Sequence, residues 1–282
     1  MPGNLQNPGV DECNGLSDNA VVAMEERIRI TDKRQSAKTI TTPTRAGIPF
    51  FLTRLVTVAL AGLCLAVAPQ ASWAAGVKRA WFEPQSLSPR LLPPPPAEGS
   101  EAWNAQIELV VAAQSSLSPS EIWQIRNEQK FRVGLMTDTL GRSFDRERLP
   151  KTCELLDRIE RTSEEVVDAA KKYWHTRRPY LADPRVKLLV DSTTSDAYPS
   201  GHTSEARVLA EVLGLLFPDK LPVLRARAED IARHRVEAGV HYPVDLEGGR
   251  LLAMLEVGAL TASSDFQVDL SAAREEILKL GN

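Results

Sequence analysis

The chain has 282 residues, 43% of them hydrophobic and 25% charged, with 34 Lys and Arg against 37 Asp and Glu. The formal charge of −3 carries no basic excess of the kind a nucleic-acid binder needs, so nucleic acid is not an expected partner. The length allows one domain or two, and the N-terminal stretch must be set aside before that question means anything.

Residues 1–44 are polar and without pattern, and either Met1 or Met24 could be the start. Residues 55–68 form an uncharged apolar run. Arg45 and Arg54 precede it, and Pro69 and the small-residue exit Ala71-Ser72-Trp73-Ala74-Ala75 follow. A basic flank, a short apolar core and small residues at the exit describe a secretory signal peptide, with cleavage after Ala74. An uncleaved anchor is the rival, but a spanning helix wants about 20 apolar residues. The expectation is export across the inner membrane to the periplasm, with no stable membrane insertion after cleavage. Removing residues 1–74 leaves 27 basic and 31 acidic residues, a net of −4. It also leaves Cys153 as the single cysteine, so no intrachain disulfide can form. A domain of about 200 residues buries enough core without one.

Residues 75–100 hold Pro84, Pro89 and the run Pro93–Pro96, which predicts an extended, polyproline-like lead-in rather than core. Helical patterns take over in 101–282. Ile107, Leu109, Val110 and Val111 mark a helix within 101–116. Ser118-Pro119-Ser120-Glu121 is a capping box with proline at the first helical position. Pro150 opens a long helix whose Leu155, Leu156, Ile159, Val166, Val167, Ala170 and Trp174 recur at three- and four-residue steps. It should end near Thr176, before Arg178-Pro179. Segments 202–216, 226–238 and 243–258 predict three more helices, the last two broken at Gly239. No strand alternation and no repeat interrupt them. The expected fold is all-α, a single helical-bundle domain.

Three short clusters fall among these helices. They are Lys171 with Arg178-Pro179, the tetrapeptide Pro199-Ser200-Gly201-His202, and Arg235 with His241 and Asp245. Three cations suit a phosphate dianion, and arginine offers a planar fork matched to its oxygens. At an effective dielectric near 20, each ionic contact at about 4 Å contributes on the order of 4 kcal/mol before desolvation. Ser200-Gly201 stands at a helix start, where free backbone N–H groups point at an anion. Asp245, four residues beyond His241, could hold one imidazole nitrogen protonated and leave the other to attack. His202 would then protonate the leaving oxygen.

Taken together and in order, the clusters resemble the phosphatidic acid phosphatase type 2 superfamily, whose pattern is Lys-x6-Arg-Pro, Pro-Ser-Gly-His and Ser-Arg-x5-His-x3-Asp. Within it the chain is most similar to the bacterial class A nonspecific acid phosphatases, which are exported and all-helical. The likeness covers roughly residues 170–250. It implies an acid phosphatase domain at 101–282 that hydrolyses small phosphate monoesters through a phosphohistidine, without metal or other cofactor, and is inhibited by vanadate. It implies His241 as nucleophile, His202 as general acid and Asp245 as the residue orienting His241. Lys171, Arg178, Ser200, Gly201 and Arg235 are the implied phosphate ligands. His234 stands where the family carries serine, which removes one hydroxyl from the phosphate site. Tyr180 is expected to line the pocket at most, Tyr173 and Trp174 to be core, and His175 to cap a helix end.

Other chemistries fit parts of the pattern. His202, His241 and Asp245 could ligate a metal, but three nearby cations oppose a fourth. Ser200 lacks the Gly-x-Ser-x-Gly elbow of a serine hydrolase. A vanadate-dependent haloperoxidase would use the same pocket on a larger chain. An integral lipid phosphate phosphatase needs several long apolar spans. A nonenzymatic phosphate-binding module would not need two histidines and a carboxylate. A monomer and a homo-oligomer both fit the sequence.

Overall fold

The computed structural model describes residues 80–141 and 144–280. They fall in the second of two compact units, Ala71–Asn282. The N-terminal extension, the apolar run 55–68 and the cleavage position after Ala74 lie outside the described residues. Among the described residues there are nine α-helices and no strand. These are α1 (Glu101–Ala113), α2 (Pro119–Asn127), α3 (Gly134–Thr137), α4 (Pro150–Trp174), α5 (Pro179–Ala182), α6 (Gly201–Leu216), α7 (Leu221–Glu237), α8 (Pro243–Ala262) and α9 (Ser264–Leu280). None is long and apolar enough to cross a membrane.

Local chemistry sets the helix ends. At α2 the Ser118 hydroxyl accepts from the Glu121 N–H at 3.3 Å, while the Glu121 carboxylate accepts from the Ser118 N–H at 2.8 Å. That is the expected capping box, with Pro119 at the first helical position. Helix α4 starts at Pro150 and stops at Trp174, a little before the expected Thr176, because His175 turns left-handed (φ 49°) and ends the ladder. Helix α7 ends at Glu237, and Gly239 (φ 76°) makes the break before α8. A Cβ at Gly239 would collide with the Lys187 carbonyl.

Helix α6 is the hub, packed against α4, α7 and α8, while α9 covers α4. The main core joins Leu155, Leu156 and Ile159 of α4 to Leu209, Val212 and Leu213 of α6, with Leu224 and Ile231 of α7. Helix α9, which lies beyond the segments expected from the sequence, adds Phe266, Leu270 and Ala273 at four- and three-residue steps.

The lead-in differs from expectation. It forms two 3-10 turns, Pro84–Ser86 and Pro89–Leu91, and part of it is core. Leu92 is 2% exposed. The Trp81 indole lies 3.9 Å beneath the Arg158 guanidinium and donates to Asp269 at 2.9 Å. Prolines kept this stretch out of a regular helix, but Trp81, just before the first of them, and Leu92, between two of them, still find apolar partners. Tyr173, expected in the core, is 45% exposed; only Trp174 is partly buried, edge-on to Tyr198.

Two adjacent glycines let α8 approach the start of α6. A Cβ on Gly248 would lie 2.5 Å from the Tyr198 ring, and one on Gly249 would lie 2.7 Å from the Ser200 carbonyl. Gly249→Ala should therefore cost about 1–3 kcal/mol through overpacking, measured by urea unfolding, and lower activity by shifting Ser200. Gly258→Ala, in the same helix with open space at the Cβ position, should be neutral or stabilising by up to about 1 kcal/mol. Equal effects at the two sites would contradict this packing.

Candidate active site

Each of the three sequence clusters is delivered by a helix end. Lys171 lies in the last turn of α4, Arg178 caps α5, Gly201 and His202 open α6, and Arg235 lies in the last turn of α7. His241 sits in the link from α7 to α8, and Asp245 lies in the first turn of α8. A cavity of about 240 Å³ is lined by Lys171, Arg178, Gly201, His202, Arg235 and His241. Asp245 stands behind it, bonded to His241.

The hydrogen bonds fix the tautomer of His241. Its Nε2 lies 2.8 Å from an Arg178 N–H, and its Nδ1 lies 3.0 Å from an Asp245 carboxylate oxygen. A guanidinium can only donate, so Nε2 carries the lone pair and Nδ1–H donates to Asp245. Burial, reinforced by Arg178 and Lys171, holds His241 well below the ordinary histidine value. The imidazole is therefore neutral, with its lone pair beside the cations. Burial pushes the Asp245 carboxyl up to about 7, against the opposing pull of the Tyr242 N–H, Lys171 and Arg178. His202 is held down to about 3 by burial and by Arg235, although the Glu128 and Gln129 carbonyls work the other way. Its Nε2 meets the Glu128 carbonyl at 3.0 Å.

The three cations share an uncommon property. Among the described residues none forms a salt bridge to a carboxylate, though all are at most 7% exposed. Lys171 donates to the Asp196 and Ala197 carbonyls. Arg178 donates to the Ser195 carbonyl and hydroxyl, to the Val240 carbonyl and to His241. Arg235 donates to the Glu128 carbonyl, and its Nε has no partner among the described residues. Buried charge is ordinarily paired. Here neutral acceptors hold three positive groups at the edge of the cavity. Glu205 lines the same cavity, but burial and the carboxylates of Glu164 and Glu160 push it up to about 8, so in acid it is neutral. Among the described residues no three His, Cys, Asp or Glu side chains converge in a metal-ligand geometry.

Some expectations are corrected. Ser200 is fully buried and does not line the cavity. Its N–H donates to the Asp245 carbonyl at 2.9 Å and its hydroxyl accepts from Thr203. It acts as the N-cap of α6, and of the residues in that first turn Gly201 and His202 line the cavity. The pocket walls come from Glu164, Val167 and Asp168 of α4 and from Val190–Ser195, with Gln129 the one contribution from 101–150. Tyr180 does not line the cavity and instead donates to the Thr193 carbonyl. Ser195 and Glu128 touch the site residues and carry no motif. The one pointer to Glu128 was the misfit His234, which is buried and lies 2.7 Å from a Glu128 carboxylate oxygen.

Among the described residues, fold and pocket together define an all-α protein with a cation-lined cavity at the ends of its central helices. Residues 162–268 match the family model of the PAP2 superfamily. The chain is 27% identical over 197 residues to an acid phosphatase of Zymomonas mobilis, covering 67% of this chain and 74% of that protein. It is 26% identical to a non-specific acid phosphatase of Salmonella typhi, covering 66% and 78%, and 25% identical to one of Providencia stuartii, covering 67% and 80%. A solved bacterial vanadium-dependent iodoperoxidase superposes with a TM-score of 0.49 at 16% identity, covering 61% of this chain and 52% of that one.

Lys171 offers a test of the cavity's charge. Burial, and then Arg178, bring it down to about 7. From there up to the ordinary lysine range, the unfolded chain holds the proton and the folded protein does not. Below about pH 7 the folded protein carries the buried charge and its full cost, which a bound dianion offsets. Sulfate keeps its charge across this window. It should raise the melting temperature more at about pH 6 than at about pH 8.5, and Lys171→Gln should shrink that difference. A sulfate effect independent of pH would contradict the charge assignment.

Proposed function

We propose that the protein is an exported acid phosphatase that hydrolyses small phosphate monoesters by way of a phosphohistidine on His241, with no metal in the reaction. The observation that carries this reading is the trio of buried cations, none in a salt bridge to a carboxylate among the described residues, facing a neutral imidazole whose lone pair points among them. The relatives, all phosphatases by name, and the PAP2 match support the class of reaction.

In this mechanism the substrate phosphate settles among Lys171, Arg178, Arg235 and the Gly201 and His202 amides. Arg178 exchanges its bond to His241 Nε2 for a phosphate oxygen, which frees the lone pair. Nε2 attacks phosphorus in line, the P–O ester bond breaks, and His202 delivers a proton to the departing alcohol. Asp245 accepts the Nδ1–H bond and so holds the His241 ring oriented during attack. Water, deprotonated by His202, then cleaves the P–N bond and releases orthophosphate. Burial among cations keeps His202 neutral in the empty site. An arriving dianion favours its imidazolium, so substrate and proton bind together and the optimum is acidic.

The test is direct. His241→Ala should lower hydrolysis of 4-nitrophenyl phosphate by ~10³-fold or more and abolish the radiolabelled phosphoenzyme trapped by an alkaline denaturing quench, which preserves the P–N bond. His202→Ala should retain labelling while slowing its decay. A labelled His241→Ala protein would sink the nucleophile assignment. For export, expression of the full chain in a Gram-negative host should yield periplasmic protein whose N-terminus is Ala75; a membrane-bound species of full length would show the anchor instead.

A further inference from the structure

His234 has no part in this mechanism. It is a buried histidine placed where the family carries a serine, and its contacts lead to the other end of the site. We propose that Glu128, clamped by His234 and Arg227, is a positioning residue that fixes the proton-bearing nitrogen of His202, a role that rests on the reading of His202 as the general acid.

The geometry runs through one residue. Glu128 follows the last residue of α2 and is 3% exposed. One carboxylate oxygen accepts from Arg227 at 2.7 Å, and the other meets His234 Nδ1 at 2.7 Å. Arg233 faces the far nitrogen of His234 at 3.3 Å and can only donate, so His234 is neutral and its Nδ1–H donates to Glu128. Burial would raise the Glu128 carboxyl, but the bonds from His234 and Arg227 hold it below its ordinary value, so it is ionised. Both partners come from α7, which binds the end of α2 to the helix that also carries Arg235.

The main chain of Glu128 faces the site. Its carbonyl accepts from Arg235 at 3.2 Å and lies 3.0 Å from His202 Nε2. A carbonyl can only accept, so Nε2 is the protonated nitrogen of neutral His202. The proton exchanged with substrate must then travel on Nδ1. The Phe131 ring, edge-on at 5.7 Å, limits the imidazole from another side. Without the carbonyl the ring could rotate or change tautomer, and in half its states it would present the wrong nitrogen. The side-chain clamp thus acts on catalysis through a backbone atom that a sequence motif cannot register.

General acid catalysis matters most when the leaving group is poor, and this separates positioning from mere structural support. Initial rates would be compared on 4-nitrophenyl phosphate, a good leaving group, and on glycerol phosphate, a poor one. His202→Ala sets the scale and should lose far more on glycerol phosphate. Glu128→Ala should lose about 10- to 100-fold on glycerol phosphate and no more than about 3-fold on 4-nitrophenyl phosphate. Glu128→Gln, which keeps the acceptor toward Arg227, should recover most of the difference. If Glu128→Ala does not fold, His234→Ala decides by the same ratio. Equal losses on the two substrates in the clamp variant, with His202→Ala still selective, would overturn the positioning role alone. No selectivity in His202→Ala would overturn the acid assignment and this proposal with it.

Discussion

The constraint on which this structure turns is the cost of burying three cations that, among the described residues, form no salt bridge. Lys171, Arg178 and Arg235 come from three different elements, and in water each would be well solvated. Inside the bundle their hydration is replaced by carbonyls of the 195–197 stretch, Val240 and Glu128. Those carbonyls lie in non-helical links or at helix ends, where they are not committed to an i→i+4 ladder. The site can exist only where helix termini converge. That explains why α4, α5, α6 and α7 all begin or end at the cavity, and why a bundle with long uninterrupted helices through this region could not form it.

The same logic extends to His241. Asp245 is four residues beyond His241, but the two are joined by a helix start and not by a helix face. Asp245 accepts from the Tyr242 N–H at 2.9 Å and from His241 Nδ1 at once, so one carboxylate both caps α8 and sets a tautomer. Its carbonyl accepts from Ser200, which ties the start of α8 to the start of α6. The close contact at Gly248 and Gly249 holds these two helix starts together. Fold stability and the aim of the imidazole depend here on the same few atoms.

Much of this was legible in the sequence because it follows from local rules. Ser118-Pro119 and Pro150 announced helix starts, the apolar steps of α4 and α6 announced their buried faces, and the spacing of Lys171 from Arg178 and of Arg235 from His241 and Asp245 announced a site. What escaped depended on partners distant in the chain. Glu128 looks like any helix-end acid until α7 brings His234 and Arg227 to it, more than 90 residues away in sequence. Ser195 sits in a link with no periodicity. Ser200 was read by its place at a helix start, where a free N–H is the rule, but the Asp245 carbonyl had already taken it. Trp81 lay just before the prolines and Leu92 between two of them, and proline content reports backbone conformation, not burial.

The balance of charge around the cavity also bears on why such a site suits acid. The lining carries Glu164, Asp168, Asp191 and Glu205 beside the cations. Were all of them ionised, the cavity would repel a dianion. Burial raises Glu205 to about 8, and Glu256, bonded to Ser163 beneath it, to about 8 as well. Both are therefore neutral in acid, when Lys171 is charged. As pH rises, Lys171 loses its proton and the carboxyls lose theirs. Each of these changes makes the cavity more negative, so they act together against an incoming phosphate. Had Glu205 been exposed, it would ionise with ordinary carboxylates and cancel one of the cations throughout the acidic range. Its desolvation thus keeps the cavity more positive in acid than its lining residues alone would suggest.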